Sequence, residues 1–479
     1  MNKELSGDEI NIFSISDQSF DQMISTLITK EVYPPVTYIA LHYMMKISRS
    51  EIWVRLYFVL FGTGVCFLIY MLAKEFLDSK LAITALILGT FSPLLISTSQ
   101  YVRSYIDSAF WMLLSTLFMM KIMKGKDSFT NWAGYLISAS LSLYTFYFSA
   151  LLIFSQAIFA VVTTFKNKKL LMKWFLAFFG VGLIFLPWLP VSIRQFHNAS
   201  SIVFDWSSKG FTFGVFRIGL YARNIFSIVG FDPNFMIFQG GVTKYFPKSI
   251  LLSVALIILS LGVFFTYHCY KFLKNKFSAN KTFVWFLLFL IYFPMILSWS
   301  AAALLNTLPM AKYLVALHAI FLILLACFIY SLSERRRLAG NMLLALIIII
   351  FSLRIPDAIS PEFDYMKASQ FLRSNLTKND CLICIVDCQF ADNNFNIIEA
   401  GNYFKLNDKR SGSLPLSERA KQELRSKIAA YEEIMFYKVY GHAEVFGAND
   451  MLDNFFKDEG YMPKVVKRIK NIDIVRYKR

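Results

Sequence analysis

The sequence predicts a mainly α-helical membrane protein. A bundle of about ten spans occupies residues 53–355, interfacial helices precede it in residues 1–52, and a small α/β domain follows over 356–479. Three observations carry this reading. Hydrophobic residues make up 56% of the 479 and charged residues only 17%, where a soluble domain carries about a quarter charged. Apolar runs long enough to cross about 30 Å of hydrocarbon recur down the chain. Beyond residue 355 those runs stop, and short helix-like and strand-like patterns alternate.

Within residues 1–52, "FDQMISTLI" places Phe20, Met23, Ile24, Leu27 and Ile28 on one helical face. With Ile12, Phe13 and Ser16 ahead of it, this predicts an amphipathic helix lying in the membrane interface. The Pro34-Pro35 pair in "EVYPPVTYIA" then forces a bend, because neither proline supplies a backbone donor and each ring crowds the residue before it. A second short helix, "VTYIALHYMMKI", leads into the first span.

The spans are expected at 53–73, 81–98, 107–123, 130–147, 148–165, 172–193, 249–270, 281–302, 312–332 and 339–355, with the stretch 130–165 read as two helices meeting at "LYTFYFSA". Every second connection is basic: Lys74 and Lys80, Lys121 to Lys126, Lys166 to Lys173, Lys271 to Lys281, and Arg335 to Arg337. Lys and Arg gather on the cytoplasmic side, so these loops are inside. The N-terminal segment, the turn around Arg103, the loop 194–248, the turn around Lys312 and the C-terminal domain are then outside. Both ends outside with no signal peptide leads to the expectation that a first membrane helix precedes Met1 in the complete protein, lost through a misassigned start or a truncated gene.

The formal net charge of +17 follows from these basic loops and needs no nucleic acid as partner. Cys381, Cys384 and Cys388 fall in "DCLICIVDC", which reads as a buried strand. Residues three apart on a strand point to opposite faces, and the two-residue spacing has no partner motif, so neither metal nor redox chemistry follows from it. A disulfide through Cys388 stays open. The histidines are scattered and form no ligand cluster by spacing. In the C-terminal domain, "FDYMKASQFLRSNL" and "NDMLDNFFKDEGYM" read as helices, "CLICIVD" and "EEIMFYKVYG" as strands, and "VVKRIKNIDIVRYK" as a closing hairpin.

The order of these features resembles a known family. An acidic pair heads the first external loop, a Tyr-Pro-Pro turn follows, then "IWVRLYFVLFGTGVCFLIYMLAKEF", "FSPLLISTSQYVRSYIDSAFWMLLSTLFMMKIM", "LYTFYFSALLIFSQAIF" and a late "LPMAKYLVALHAIFLILL". The C-terminal domain adds "KNDCLICIVD" and ends in "DIVRYKR". The chain resembles the GT-C glycosyltransferases of the dolichyl-phosphate-mannose protein mannosyltransferase type, in the bacterial branch that includes the aminoarabinose transferases of lipid A.

The resemblance implies an enzyme of the inner (plasma) membrane that moves a sugar from a polyprenyl-phosphate carrier to a lipid, polysaccharide or protein acceptor on the outer face, with inversion at the sugar carbon. Asp8, with Glu9 beside it, matches the acidic residue that acts as general base or positions the acceptor. An acceptor hydroxyl must lose its proton as it attacks, and a carboxylate can take it. Taken alone, the same pair also fits an exposed acidic patch or a helix N-cap.

The leaving group is a lipid phosphate, so a cation must meet its developing charge. Arg103 in "SQYVRSYI" matches the family's Arg-x-Tyr and Tyr105 completes it; by itself an arginine at a membrane boundary also fits a snorkelling anchor. Lys312 stands where relatives have Arg ahead of Tyr, replacing a fork with a point charge. Tyr33 stands where His is common before the Pro-Pro turn, which weakens a metal there and leaves a divalent ion open as the one cofactor. Tyr33, Tyr313 and Arg223 are candidates for lining the donor or acceptor pocket. The rival reading is a transporter or flippase of a lipid-linked substrate, which calls for charges in mid-span and repeated halves; the ionisable residues instead crowd at span ends.

Overall fold

The computed structural model describes residues 7–197, 281–305, 311–359, 381–384, 403–405, 418–428, 433–439, 448–469 and 472–478, with short pieces within 264–271 and 371–375. The chain divides into two compact units. One holds residues 12–204 and 211–359, the other residues 2–11, 205–210 and 360–479.

The N-terminal segment forms α1 (Gly7–Ser16), α2 (Phe20–Thr29) and α3 (Val36–Met45). Where the apolar pattern predicts one helix from Ile12 to Ile28, the chain turns at Asp17-Gln18-Ser19. Asp17 there pairs with Arg49 at 2.9 Å, and the Gln18 side chain accepts from Thr26 Oγ1 at 3.0 Å. These polar anchors favour a turn over a continued helix. Met23 and Leu27 of the expected apolar face are fully buried. The bend at Pro34-Pro35 separates α2 from α3 as expected, and α3 buries Thr37, Tyr38 and Leu41.

The bundle then runs through α4 (Glu51–Phe76), α5 (Ser79–Phe91), α6 (Pro93–Ser99), α7 (Ile106–Met123), α8 (Phe129–Thr145), α9 (Ser149–Thr164) and α10 (Lys168–His197). Further along the chain come α11 (Lys281–Leu305), α12 (Val315–Arg335) and α13 (Arg337–Ile359). Their starts are written in the sequence: Ser50, Asp78, Ser92, Ser128 and Asn167 each accept a backbone N–H of the first turn.

The span expected over 81–98 is one helix only up to Phe91. Pro93 has no N–H to give and its ring blocks continuation, so α6 restarts at a 58° bend with Ser92 as its cap. Among the described residues five helices are long and apolar enough to cross a membrane, six if the bent pair counts as one span; α9 and the stretch Trp285–Ser298 are apolar but shorter. The chain is a multi-pass membrane protein. The span expected over 249–270 lies largely outside the described residues, as does most of the loop 194–248.

Burial separates a centre from a rim. The apolar windows of α7 and α12 are 67% buried, those of α10 and α13 only 6% and 11%. α7 packs on α4 and α8, and α12 on α5 and α7. Backbones come close where glycine permits: a Cβ at Gly62 of α4 would sit 2.0 Å from Ser99 Oγ of α6. A buried polar network ties the centre together. Tyr135 Oη donates to Gln156 Oε1 at 3.0 Å, and Gln156 Nε2 donates to Ser115 Oγ and Thr116 Oγ1, both at 3.1 Å. Three helices thus meet on one amide. Gln156→Leu is expected to lower stability by about 1–2 kcal/mol, read from thermal unfolding in detergent.

In the second unit, β1 (Cys381–Cys384), β2 (Tyr403–Lys405), β3 (Glu433–Val439), β4 (Met462–Ile469) and β5 (Ile472–Lys478) form a mixed sheet of order β2-β1-β3-β5-β4. β1 runs parallel to β2 and β3, while β3, β5 and β4 pair antiparallel. The expected strands at "CLIC" and "EIMFYKV" and the closing hairpin are present, as is the helix α15 (Ala448–Asp458). β2 and α14 (Glu418–Ile428) are additional to the elements that the sequence predicts. Leu424, Phe436, Phe456 and Tyr477 lie in the core of this unit.

Candidate functional site

Four short segments of the first unit converge: the Tyr33-Pro34-Pro35 turn, the loop 100–105 between α6 and α7, the break 146–148 between α8 and α9, and the 3-10 turn Ala311–Leu314 ahead of α12. Each is a place where helix is interrupted, and irregular backbone in a membrane protein persists where it is buried in protein or lines a cavity.

The loop is tightly wound. Arg103 N donates to Tyr101 O at 2.8 Å and Tyr105 N to Arg103 O at 2.7 Å, two consecutive three-residue turns. At its entry, the fully buried Arg55 of α4 donates from Nε to Gln100 O at 3.2 Å and from Nη1 to Glu51 at 3.0 Å. At its exit stands Asp107, also fully buried. Its Oδ2 accepts from Thr37 Oγ1 of α3 at 2.7 Å and from Tyr57 Oη of α4 at 3.4 Å, and its Oδ1 accepts from Ser108 N at 2.9 Å.

So held, Arg103 is 4% exposed and its guanidinium lies over the Tyr33 ring, 4.9 Å from the centroid. Tyr33 Oη and Tyr105 Oη are 3.4 Å apart. The Tyr105 ring stacks on Tyr101 at 6.0 Å, meets Phe146 edge-on at 5.5 Å and approaches Tyr313 at 5.7 Å. Tyr33 in turn stacks on Phe146 at 6.1 Å, and Tyr313 packs on Phe148 at 4.7 Å. The result is a cation walled by aromatic rings, several with a phenol group.

Burial holds the Tyr105 phenol well above its usual value, with neighbouring phenols adding and the Arg103 guanidinium opposing. It therefore stays protonated at working pH and can donate a hydrogen bond. The Tyr38 phenol is likewise raised, by burial first and then by the Glu31 carboxylate, with Arg103 opposing. Glu31 itself is buried and accepts from Val32 N at 2.8 Å. Among the described residues, no group of three or more His, Cys, Asp or Glu could hold a metal ion.

Of the residues singled out in the sequence, Arg103, Tyr105, Tyr33 and Tyr313 are brought together. Lys312 lies in the same 3-10 turn as Tyr313, its side chain outside the described residues. Asp8 and Glu9 fall in α1; the Asp8 side chain is outside the described residues, and Glu9 is buried and groups with the second unit. Arg223 is outside the described residues. Arg55, Asp107, Glu31 and the Phe146–Phe148 break are further parts of the site, beyond the residues that the sequence singles out. A signal existed for Glu31, a carboxylate two residues before the Tyr-Pro-Pro turn.

Residues 32–193, which include Tyr33, Arg103 and Tyr105, match the dolichyl-phosphate-mannose-protein mannosyltransferase family. No curated protein sequence matches the chain. Among solved structures, the Archaeoglobus fulgidus oligosaccharyltransferase, in a complex with zinc and sulfate, aligns with a TM-score of 0.51 at 13% identity. The alignment covers 91% of this chain and 64% of that one. ArnT from Cupriavidus metallidurans bound to undecaprenyl phosphate aligns at 0.47 and 11% identity, and its apo form at 0.46 and 14%, each covering 99% of this chain and 94% of theirs. At such identities the likeness is one of fold. The family match rests on residues 32–193, and the fold of the chain is that of the GT-C membrane glycosyltransferases.

Proposed function

We propose that the chain transfers a sugar from a polyprenyl-phosphate donor to a lipid, polysaccharide or protein acceptor on the extracytoplasmic face of the inner membrane. The observation that carries this is the buried Arg103 guanidinium in its aromatic recess. A guanidinium in a low-dielectric site suits a phosphate far better than a neutral ligand. In this reading Arg103 takes the donor phosphate and Tyr105, kept protonated, donates a further hydrogen bond to it. Lys312 adds charge beside Tyr313. Rings such as Tyr33 offer faces on which the sugar or the first isoprene unit can stack.

The acceptor hydroxyl attacks the anomeric carbon as the bond to the phosphate oxygen breaks, with inversion. Asp8, with Glu9 beside it, takes the hydroxyl proton, and polyprenyl phosphate leaves with the bonding pair. Arg223 contributes to the acceptor pocket. Membranes holding the full chain, given a mixture of polyprenyl-phosphate sugars, are expected to release polyprenyl phosphate and yield an acceptor heavier by one sugar residue in the mass spectrum. Failure to consume any donor in membranes holding folded chain ends the proposal.

The sidedness is separately testable. The connection between α7 and α8 carries Lys124 and Lys126, and Lys173 pairs with Asp127, whose carboxyl it holds below the usual range. A reporter fused after residue 126 is expected to read cytoplasmic, and one fused after residue 400 extracytoplasmic. The opposite pattern overturns the assignment of faces.

A further inference from the structure

Gln195 is fully buried two residues from the end of α10, although the apolar window of that helix is only 6% buried and its neighbours Arg194 and Phe196 are exposed. A primary amide removed from water is costly unless its hydrogen bonds are made. Here they are. Nε2 donates to Leu27 O in the last turn of α2 at 2.7 Å and to Tyr33 O at 3.2 Å, and Oε1 accepts from Tyr147 Oη. Tyr147 Oη in turn accepts from Trp188 Nε1 of α10 at 2.9 Å.

One side chain thus grips two of the four segments that build the arginine recess. Tyr33 precedes Pro34, so its backbone is already restricted to extended conformations. Fixing its carbonyl removes much of the remaining freedom and sets the direction of the ring. That ring is the one over which Arg103 lies at 4.9 Å, and its hydroxyl meets Tyr105 at 3.4 Å. On the other side, Tyr147 is flanked by Phe146 and Phe148, whose rings pack against Tyr33, Tyr105 and Tyr313.

We propose that Gln195 is a positioning residue: it couples the end of α10 to the Tyr-Pro-Pro turn and holds the Tyr33 ring against the Arg103 guanidinium. Its effect on sugar transfer rests on the donor-site reading given above, but the positional claim does not.

The test places 3-fluorotyrosine at position 33 of the full chain in lipid nanodiscs and records the fluorine resonance. The unaltered chain is expected to give one narrow line, displaced in Arg103→Ala. Gln195→Met, which keeps the side-chain volume, and Gln195→Glu, which keeps an acceptor for Tyr147 but loses both donors, are expected to shift or split that line. Arg194→Ala, one residue away and exposed, is expected to leave it in place. A line unchanged in either folded Gln195 variant overturns the proposal. So does rapid exchange of the Gln195 side-chain amide protons in the unaltered chain, a reading that needs no variant to fold.

In the transfer assay, Gln195→Met is expected to raise the donor KM about tenfold with the acceptor KM unchanged, as loss of binding geometry on the donor side requires. If the resonance moves while the unaltered chain consumes no polyprenyl-phosphate sugar, the positioning role stands and the proposed function falls. If the resonance moves and acceptor KM rises in place of donor KM, the coupling to Arg103 is overturned.

Discussion

Arg103→Ala is expected to lower kcat/KM for sugar transfer from a polyprenyl-phosphate donor by about 10²–10³-fold, the usual cost of removing a preorganised group that meets developing charge. The reasoning is electrostatic. In the proposed reaction negative charge builds on the phosphate as the sugar leaves, and a recess walled by the rings of Tyr33, Tyr105 and Phe146 is a low-dielectric surrounding in which that charge needs a fixed partner. A charge already buried and oriented needs no reorganisation at that moment. Arg103→Lys separates charge from geometry. It keeps the cation but loses the planar fork and the stack on Tyr33, so it is expected to retain part of the activity, about a tenth. Initial rates with purified enzyme in lipid vesicles, at several donor concentrations, give both numbers. Full transfer by Arg103→Ala means that the phosphate is held elsewhere, and Lys312 becomes the first residue to test.

How much of this site the sequence disclosed depends on contrast. Arg103 stood out because it is a lone cation in a turn between two apolar runs, and Tyr33 because two prolines mark its backbone. Such residues violate their local context, and context is what a sequence displays. Gln195 and Asp107 violate nothing locally. Gln195 sits near the polar end of a span beside Arg194, where an amide reads as an ordinary interface residue. Its partners Leu27 and Tyr33 are 168 and 162 residues away. Asp107, in the first turn of α7, reads as an acid favoured by the helix dipole, and only folding reveals Thr37 and Tyr57 around it.

The helical framework shows the same division. Cap residues mark helix starts at Ser50, Asp78, Ser92, Ser128 and Asn167, because capping is local chemistry. The break at Ser92-Pro93 was legible from the proline but averaged away by the hydropathy of its neighbours. The small sheet behaved similarly. The expected strands β1, β3, β4 and β5 carry β-branched or aromatic runs, while β2, three residues long, has too few to signal itself.

Asp107 carries the second large effect, on stability. Asp107→Leu is expected to destabilise the chain by about 3–5 kcal/mol, because it strips acceptors from buried donors on three elements at once. Thr37 Oγ1, Tyr57 Oη and the Ser108 N–H would each face hydrocarbon or protein interior in place of a carboxylate. Asp107→Asn offers a discriminating contrast. Its remaining carbonyl oxygen can still accept from Thr37 or from Ser108, though not with the full capacity of a carboxylate, so its cost is expected to stay near 1–2 kcal/mol. Thermal unfolding in detergent ranks the three proteins, and transfer assays below the lower midpoint follow the consequence for the site. Since α3 follows directly on the Tyr33-Pro34-Pro35 turn and α7 on the Arg103–Tyr105 loop, loosening the Thr37–Asp107 bond separates the two segments that face each other across the recess. Asp107→Leu is therefore expected to lose transfer even where it remains folded, and equal stability of Asp107→Leu and the unaltered chain would remove the carboxylate from this role.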